Sequence, residues 1–470
     1  MKDKSIVIAG AGICGLMLAW HLRKKYPSKP IFIFDNSSNI GGKYKTFNYD
    51  NNVKFDVGMH VIYESCISEI DVIYREILEE KDWNIYSDNE KDIAGLFFNN
   101  KLQNYSHYID LRPFINDSKK NYVSDFFKNL NNITRKEPIN AESFLIHQFG
   151  QKIYNDFHKQ ILRSMYGVIP KKLSNLAIKL SALERIILFD KDLVLELIKS
   201  KVIKNRIAYP DQLNLPFKRD NDQKALYPRK FGMDTFIDQF KKKLIKNNVK
   251  IILNAKLASI KTLKSQITNC SLQVNNSYID LKVDQFISSV GWAPISGALN
   301  IKPMLKYDKN RNLIIVNLAF NQRVILEKLY YFYCYDKNFA TFRVTNYGNY
   351  CPNANKENYY PISVELWPDK AGLNFDHMTE EDIIKLTISE LHKFQIITKK
   401  HKLVFYKSEF FLNSLPTPTI RNFKNLEIIK NKILDRELNN LTVTGLLSEK
   451  NLFFLPDILK DAFEKIKFYA

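Results

Sequence analysis

Residues 5–9, SIVIA, form a β-branched apolar run that stops at Gly10-Ala11-Gly12-Ile13-Cys14-Gly15, and LMLAWHLRKKY then sets Leu16, Ala19, Trp20 and Leu22 at helical spacing. A second apolar run, IFIFD, ends in Asp35, 20 residues after Gly15. Strand, glycine turn, helix, strand and acid in that order predict a parallel strand pair joined by a crossover helix. Gly10 permits the tight turn, Gly12 lets a pyrophosphate approach the backbone, and Gly15 lets helix and strand pack closely. The diphosphate of a dinucleotide would sit at the positive helix N-terminus, and Asp35 would accept a ribose hydroxyl. A glycine turn without a ligand is the alternative, and the strand-helix-strand-acid context weighs against it.

The remaining 435 residues leave room for two or three packed units in a chain of 470. With 45% apolar and 26% charged residues, the balance is that of a globular protein and not of a disordered or fibrous one. Lys+Arg outnumber Asp+Glu by 70 to 50, an excess that could attract nucleic acid, an acidic membrane or a small anion. The lysines are spread along the chain without an RNP-like motif, zinc finger or basic heptad region, so a solvated basic surface and no nucleic-acid partner are expected. Five scattered cysteines show neither a disulfide framework nor metal-ligand spacing, which predicts a reducing, cytoplasmic setting and no metal. No stretch approaches the ~20 apolar residues of a membrane span, and no signal-peptide pattern is present.

Beyond Asp35 come Gly41-Gly42 and then Phe55-Asp56-Val57-Gly58-Met59-His60-Val61-Ile62. Together with GxGxxG and its acid, these segments resemble the FAD-binding proteins of the amine oxidase, protoporphyrinogen oxidase and UDP-galactopyranose mutase group, and FDVGMHVI is most similar to the mutases. The resemblance implies non-covalent FAD, with Gly41 and Gly42 along its diphosphate and ribose and with Gly58, Met59 and His60 in the loop against the isoalloxazine. The mutases usually have glycine at the Met59 position. A packed structural histidine is the alternative for His60.

Residues 66–218 read mainly as helices: CISEIDVIYREILEE, SDFFKNLNNI, AESFLIHQFGQKIYNDFHKQILRSMYG and SALERIILFDKDLVLELIKSKVI all carry three-four spacing. Tyr227 to Gly232 then lead into a helix and a strand at 249–254, which is similar to the family's return to its FAD domain; only Gly232 is kept from a turn that is glycine-rich in the mutases. Alternating Tyr/Phe-rich strands over 299–428 predict a mixed sheet. A last strand and helix follow, with Gly445 and Asn451 at positions that face the flavin in the family. The expected architecture is α/β: a Rossmann-like FAD-binding domain in three pieces (1–65, 219–298, 429–470), a helical insertion (66–218) and a mixed β-sheet substrate domain (299–428).

Phe342-Arg343-Val344-Thr345-Asn346-Tyr347-Gly348-Asn349-Tyr350-Cys351-Pro352 resembles the FYRxTxxSNYSP stretch of eukaryotic-type mutases, Leu415 to Thr419 their YPTPT turn, and Leu183 to Ile186 their WLGERV segment. By that resemblance Arg343 and Arg185 clamp a nucleotide diphosphate, Tyr350 donates a hydroxyl to it, and Asn346 lies in the same binding segment. Planar guanidinium forks suit the task, since they give directional charge-assisted bonds and stabilise a leaving diphosphate. Solvent-facing arginines are the alternative for both. Arg343, Arg185 and His60 are thus the candidate catalytic residues.

The implied reaction is redox-neutral, needs reduced flavin and no protein nucleophile, converts a nucleotide-diphosphate sugar between pyranose and furanose forms, and is compatible with an external reductant such as NAD(P)H. Leu415 in place of tyrosine, and the absence of Trp-Arg-Tyr over 446–450, leave the sugar open. The other readings are an FAD-dependent oxidase or desaturase, and a flavin-binding protein without catalysis.

Overall fold

In β1 (Ser5–Ala9) and β2 (Ile31–Phe34) every residue is buried, as a parallel sheet covered on both faces requires. Between them α1 (Ile13–Lys25) buries Leu16, Met17, Leu18, Ala19 and Leu22. The computed structural model describes residues 4–50, 53–115, 121–130, 138–219, 222–370, 372–373, 375–450 and 452–467. They fall into two units, one of residues 1–86, 222–306 and 423–470 and one of residues 87–221 and 307–422.

In the first unit β1 pairs in parallel with β2, Ile6 opposite Ile31 and Ala9 opposite Phe34. Strand Val249–Ile252 adds beyond β2, and the end of Ser277–Ser288 lies on the other side of β1, followed by Leu441–Val443. The other end of Ser277–Ser288 closes an antiparallel meander with Gln266–Val274 and Ala255–Leu263. One strand therefore serves two sheet geometries. The Rossmann-like α/β architecture read from the sequence is present.

In the second unit seven strands follow the order Leu403–Leu415, Arg311–Phe320, Tyr360–Leu366, Thr341–Asn346, Tyr331–Cys334, Ala94–Phe98, Lys101–Gln103. The pair Tyr331–Cys334 and Ala94–Phe98 is parallel and the other pairs are antiparallel, so the sheet is mixed. Side chains alternate between its faces. Ile314, Val316, Leu318, Phe332, Val344, Ile362 and Val364 share a core with Ile383, Ile384 and Leu391 of helix Glu380–Lys393. The register puts Asn317, Tyr331, Tyr333, Arg343, Thr345, Ser363 and Glu365 on the opposite face.

The helical reading of SALERIILFDKDLVLELIKSKVI is corrected. Helix Leu176–Leu180 ends before Ala182, whose φ of 48° is left-handed, and Ile186–Ile187 form a strand parallel to Ile109–Asp110. The backbone there is bonded on both sides, Ile186 N to Arg206 O at 3.1 Å and Leu111 N to Ile187 O at 2.8 Å. Helix resumes at Lys191–Leu197. Two β-branched residues with waiting partners outweigh a local periodicity.

Among the described residues, no helix is long and apolar enough to cross a membrane and no group of three His, Cys, Asp or Glu could hold a metal ion.

Candidate functional site

The turn from β1 into α1 is a cradle made of main chain. A Cβ on Gly15 would stand 2.0 Å from the Gly10 carbonyl oxygen, so strand and helix touch only because residue 15 is glycine. Gly12 is the opposite case: a Cβ there would meet nothing nearer than the Gly42 Cα at 3.9 Å. That open space lies at the start of a helix with no side-chain cap and no acid in its first turn, where anions are favoured. Gly41 N donates to Ala11 O at 2.8 Å and bridges Gly12, which brings the Gly41-Gly42 pair against the turn. Asp35 accepts from Ala11 N at 2.7 Å and from Ser37 N at 2.8 Å, which fixes its carboxylate at the end of β2. Residues and space fit a dinucleotide.

Cys14, in the first turn of α1, is buried, and burial, with Asp461 adding to it, pushes its thiol up to about 12. Gly58, Gly232 and Gly445 have φ of 74°, 107° and 100°. Gly445 packs directly on the end of Ser277–Ser288, where a Cβ would meet Ser289 O at 2.1 Å. Met59 and His60 follow Gly58 and are half-buried; the His60 ring meets Tyr44 edge-on at 5.0 Å. Asn451 lies outside the described residues.

One residue of this unit was quoted in the sequence without a role. Asp56 is fully buried and accepts from Thr46 Oγ1 at 2.6 Å, Met233 N at 3.0 Å and the Tyr227 hydroxyl. It ties the strand before Gly58 to the turn at Gly232, whose N–H donates to the Tyr227 oxygen at 3.2 Å. Burial raises its carboxyl from 3.8 to about 6, against the three hydrogen bonds and with Asp234 adding to the rise.

In the second unit Arg343 stands directly opposite Glu365 on the neighbouring strand, and its Nε donates to Glu365 Oε1 at 2.7 Å. Nη2 bonds the same oxygen, and the two side chains are only 18% and 7% exposed. Burial disfavours the guanidinium charge, but Glu365 and the neighbouring tyrosines more than offset this and hold it above its ordinary range. The group also lies over the Tyr331 ring at 5.8 Å, and the Tyr331 hydroxyl donates to Asp92 at 2.8 Å. On the same face Ser363 Oγ donates to Asn317 Oδ1 at 2.5 Å and meets the Tyr347 hydroxyl at 2.6 Å.

Tyr350, at the end of helix Tyr347–Tyr350, is fully buried with its ring edge-on to Tyr330 at 5.7 Å; Asn346 is the residue before that helix. Arg185 lies in the loop before Ile186–Ile187, where its charge bears on His107 and Tyr108. Glu365 and Asp92 were missed. A lone carboxylate inside the buried run PISVELW is the signal that could have found Glu365.

A family model described as an NAD(P)-binding Rossmann-like domain matches residues 8–70, which include the turn, Asp35 and Gly41-Gly42. Over 44 residues the chain is 46% identical to the FAD-containing monooxygenase EthA of Mycolicibacterium smegmatis, a stretch of 9% of this chain and 9% of that protein. Reduced UDP-galactopyranose mutase superposes with a TM-score of 0.72 over 100% of this chain and 96% of its own, at 17% identity. A protein classed as a protoporphyrinogen oxidase from Exiguobacterium sp. 255-15 gives 0.65 over 99% and 98%, at 14% identity. Putrescine oxidase bound to putrescine gives 0.58 over 99% of each chain, at 12% identity. The chain thus carries a Rossmann-like dinucleotide-binding domain within the fold shared by UDP-galactopyranose mutase and these oxidases.

Proposed function

We propose that the protein is an FAD-dependent enzyme that rearranges a nucleotide-diphosphate sugar between its pyranose and furanose forms. The observation that carries this reading is the segment Phe342 to Pro352: it resembles the mutases, and its first residues, to Asn346, lie in a strand that sets Arg343 on the polar face of the sheet, in a fold that superposes on a mutase along the whole chain. FAD, when bound and reduced, would supply the nucleophile for the anomeric carbon. The chain's own residues bind and orient. The glycine turn and the start of α1 hold the dinucleotide diphosphate, and Asp35 is set to receive a ribose hydroxyl. Arg343 gives Nε and Nη2 to Glu365, which fixes the plane of the guanidinium and leaves Nη1 for a phosphate oxygen of the substrate. His60, Arg185, Asn346 and Tyr350 remain candidate contacts in this reading.

A second reading, an oxidase acting on a neutral substrate or an amine, is favoured by one observation: the Arg343–Glu365 pair cancels its own charge, and tyrosines surround it. The experiment incubates dithionite-reduced protein anaerobically with UDP-, CDP-, dTDP- and GDP-sugars and follows isomers by NMR. A furanose product that requires reduction supports the mutase. Peroxide release by oxidised protein with amines, and no isomer after reduction, overturns it in favour of the oxidase. A colourless protein that FAD does not stabilise overturns both.

A further inference from the structure

Arginines in folded chains end on carboxylates or carbonyls, and here Arg75, Arg112, Arg343 and Arg421 all do so. Arg219 does not. Its Nε and Nη2 are buried and have no hydrogen-bond partner. His107, in the same unit, is 9% exposed, and its Nδ1 is likewise buried and unpartnered. The His107 ring lies 4.1 Å from that of Tyr108, and the charges of Arg185, Arg219 and Asp92 bear on both; Glu184 also bears on Tyr108. Burial, opposed by Asp92 and reinforced by the two arginines, lowers the His107 imidazole from its ordinary range.

The two nearby carboxylates do not satisfy the two cations. Asp92 takes the Tyr331 hydroxyl at 2.8 Å, and neither Arg185 nor Arg219 has an ion-pair partner among the described residues. Buried charged donors without an acceptor are costly, and a fold keeps them where an acceptor arrives from outside. We infer that Arg219, with Arg185 and His107, forms an anion pocket that takes a phosphate or diphosphate group. Arg343 already has two of its donors on Glu365, so the larger unspent capacity for an anion lies here. That the anion is the diphosphate of a nucleotide sugar rests on the proposed function; that an oxyanion binds rests on the unpaired donors.

The test titrates the full chain with UDP, pyrophosphate and uridine, for the parent and for Arg219→Gln and Arg219→Lys. Arg219→Gln should weaken UDP and pyrophosphate by about tenfold or more and leave uridine unchanged. Arg219→Lys should recover only part, because an ammonium lacks the planar fork. The melting temperature of Arg219→Gln should hold or rise, since no internal bond is lost. A folded Arg219→Gln with parental affinity for UDP and pyrophosphate overturns the pocket and leaves the mutase reading standing. A collapse in its melting temperature makes the guanidinium a fold element and also overturns the pocket. Pyrophosphate binding that depends on Arg219, in a protein that ignores UDP, supports the pocket and overturns the nucleotide-sugar reading. Parent protein that binds neither overturns both.

Discussion

The dinucleotide cradle and the polar face of the seven-stranded sheet are made of opposite materials. The cradle is main chain: Gly10, Gly12 and Gly15 shape it, a helix start provides its field, and Asp35 is held by two backbone N–H groups. The sheet face is side chain: Arg343 on Glu365, Tyr331 on Asp92, and Tyr347 through Ser363 to Asn317. A site of the first kind fails when an atom is added. A site of the second kind fails when one is taken away, because the partner left behind stays buried without compensation.

The largest effect should come from adding atoms at Gly15. With a Cβ already 2.0 Å from a backbone oxygen, Gly15→Val should cost on the order of 5 kcal/mol in urea unfolding or prevent folding. Gly12→Val sharpens the contrast, since its Cβ meets open space: apo stability should hold while FAD binding is lost. If both variants fold and bind flavin, the cradle is not a main-chain site. Next comes removal at Arg343. Arg343→Met leaves Glu365 buried and unpaired and should cost about 3 kcal/mol, most of it restored in the double variant Arg343→Met with Glu365→Leu. A single variant as stable as the parent would show that water reaches Glu365 freely.

The smallest effect belongs to Asp56 and depends on pH. Its carboxyl sits at about 6 in the fold against 3.8 unfolded. Below about pH 4 both states hold the proton and it adds no pH dependence. Between about 4 and 6 the folded state holds it and the unfolded state does not, so stability falls as pH rises through that window and levels above it. Asp56→Asn should flatten that fall while costing roughly 1–2 kcal/mol at low pH through poorer acceptance of the Thr46, Tyr227 and Met233 donors. Unfolding curves at pH 4, 5 and 6.5 measure both. An unchanged slope would place the titration on another group.

The same division explains what could be read before the structure was known. A main-chain site writes itself into local sequence, since Gly10, Gly12 and Gly15 must stand at fixed offsets between a strand and a helix. Gly445 is glycine for a reason its neighbours do not carry, the approach of Ser289 O from 156 residues earlier in the chain. Arg343 could be picked out, but Glu365 depends on the register of two strands. Arg219 sits in LPFKRDND, a stretch with no period and no motif, and its unpaired state exists only in three dimensions. Ile186 and Ile187 misled for the converse reason: their local spacing is helical, and their strand partners lie at 109–110.

The parallel core also carries a consequence for how the chain is made. Its central strands at 5–9 and 31–34 leave the ribosome before the rest of the sheet, their outer neighbours come from 249–252 and 283–288, and the last from 441–443. During synthesis the two apolar strands wait, with open edges, while the whole first segment of the second unit is translated. Long closures of this kind slow assembly and expose strands to wrong partners, and the sheet beneath the dinucleotide turn is complete only once residues 441–443 have emerged.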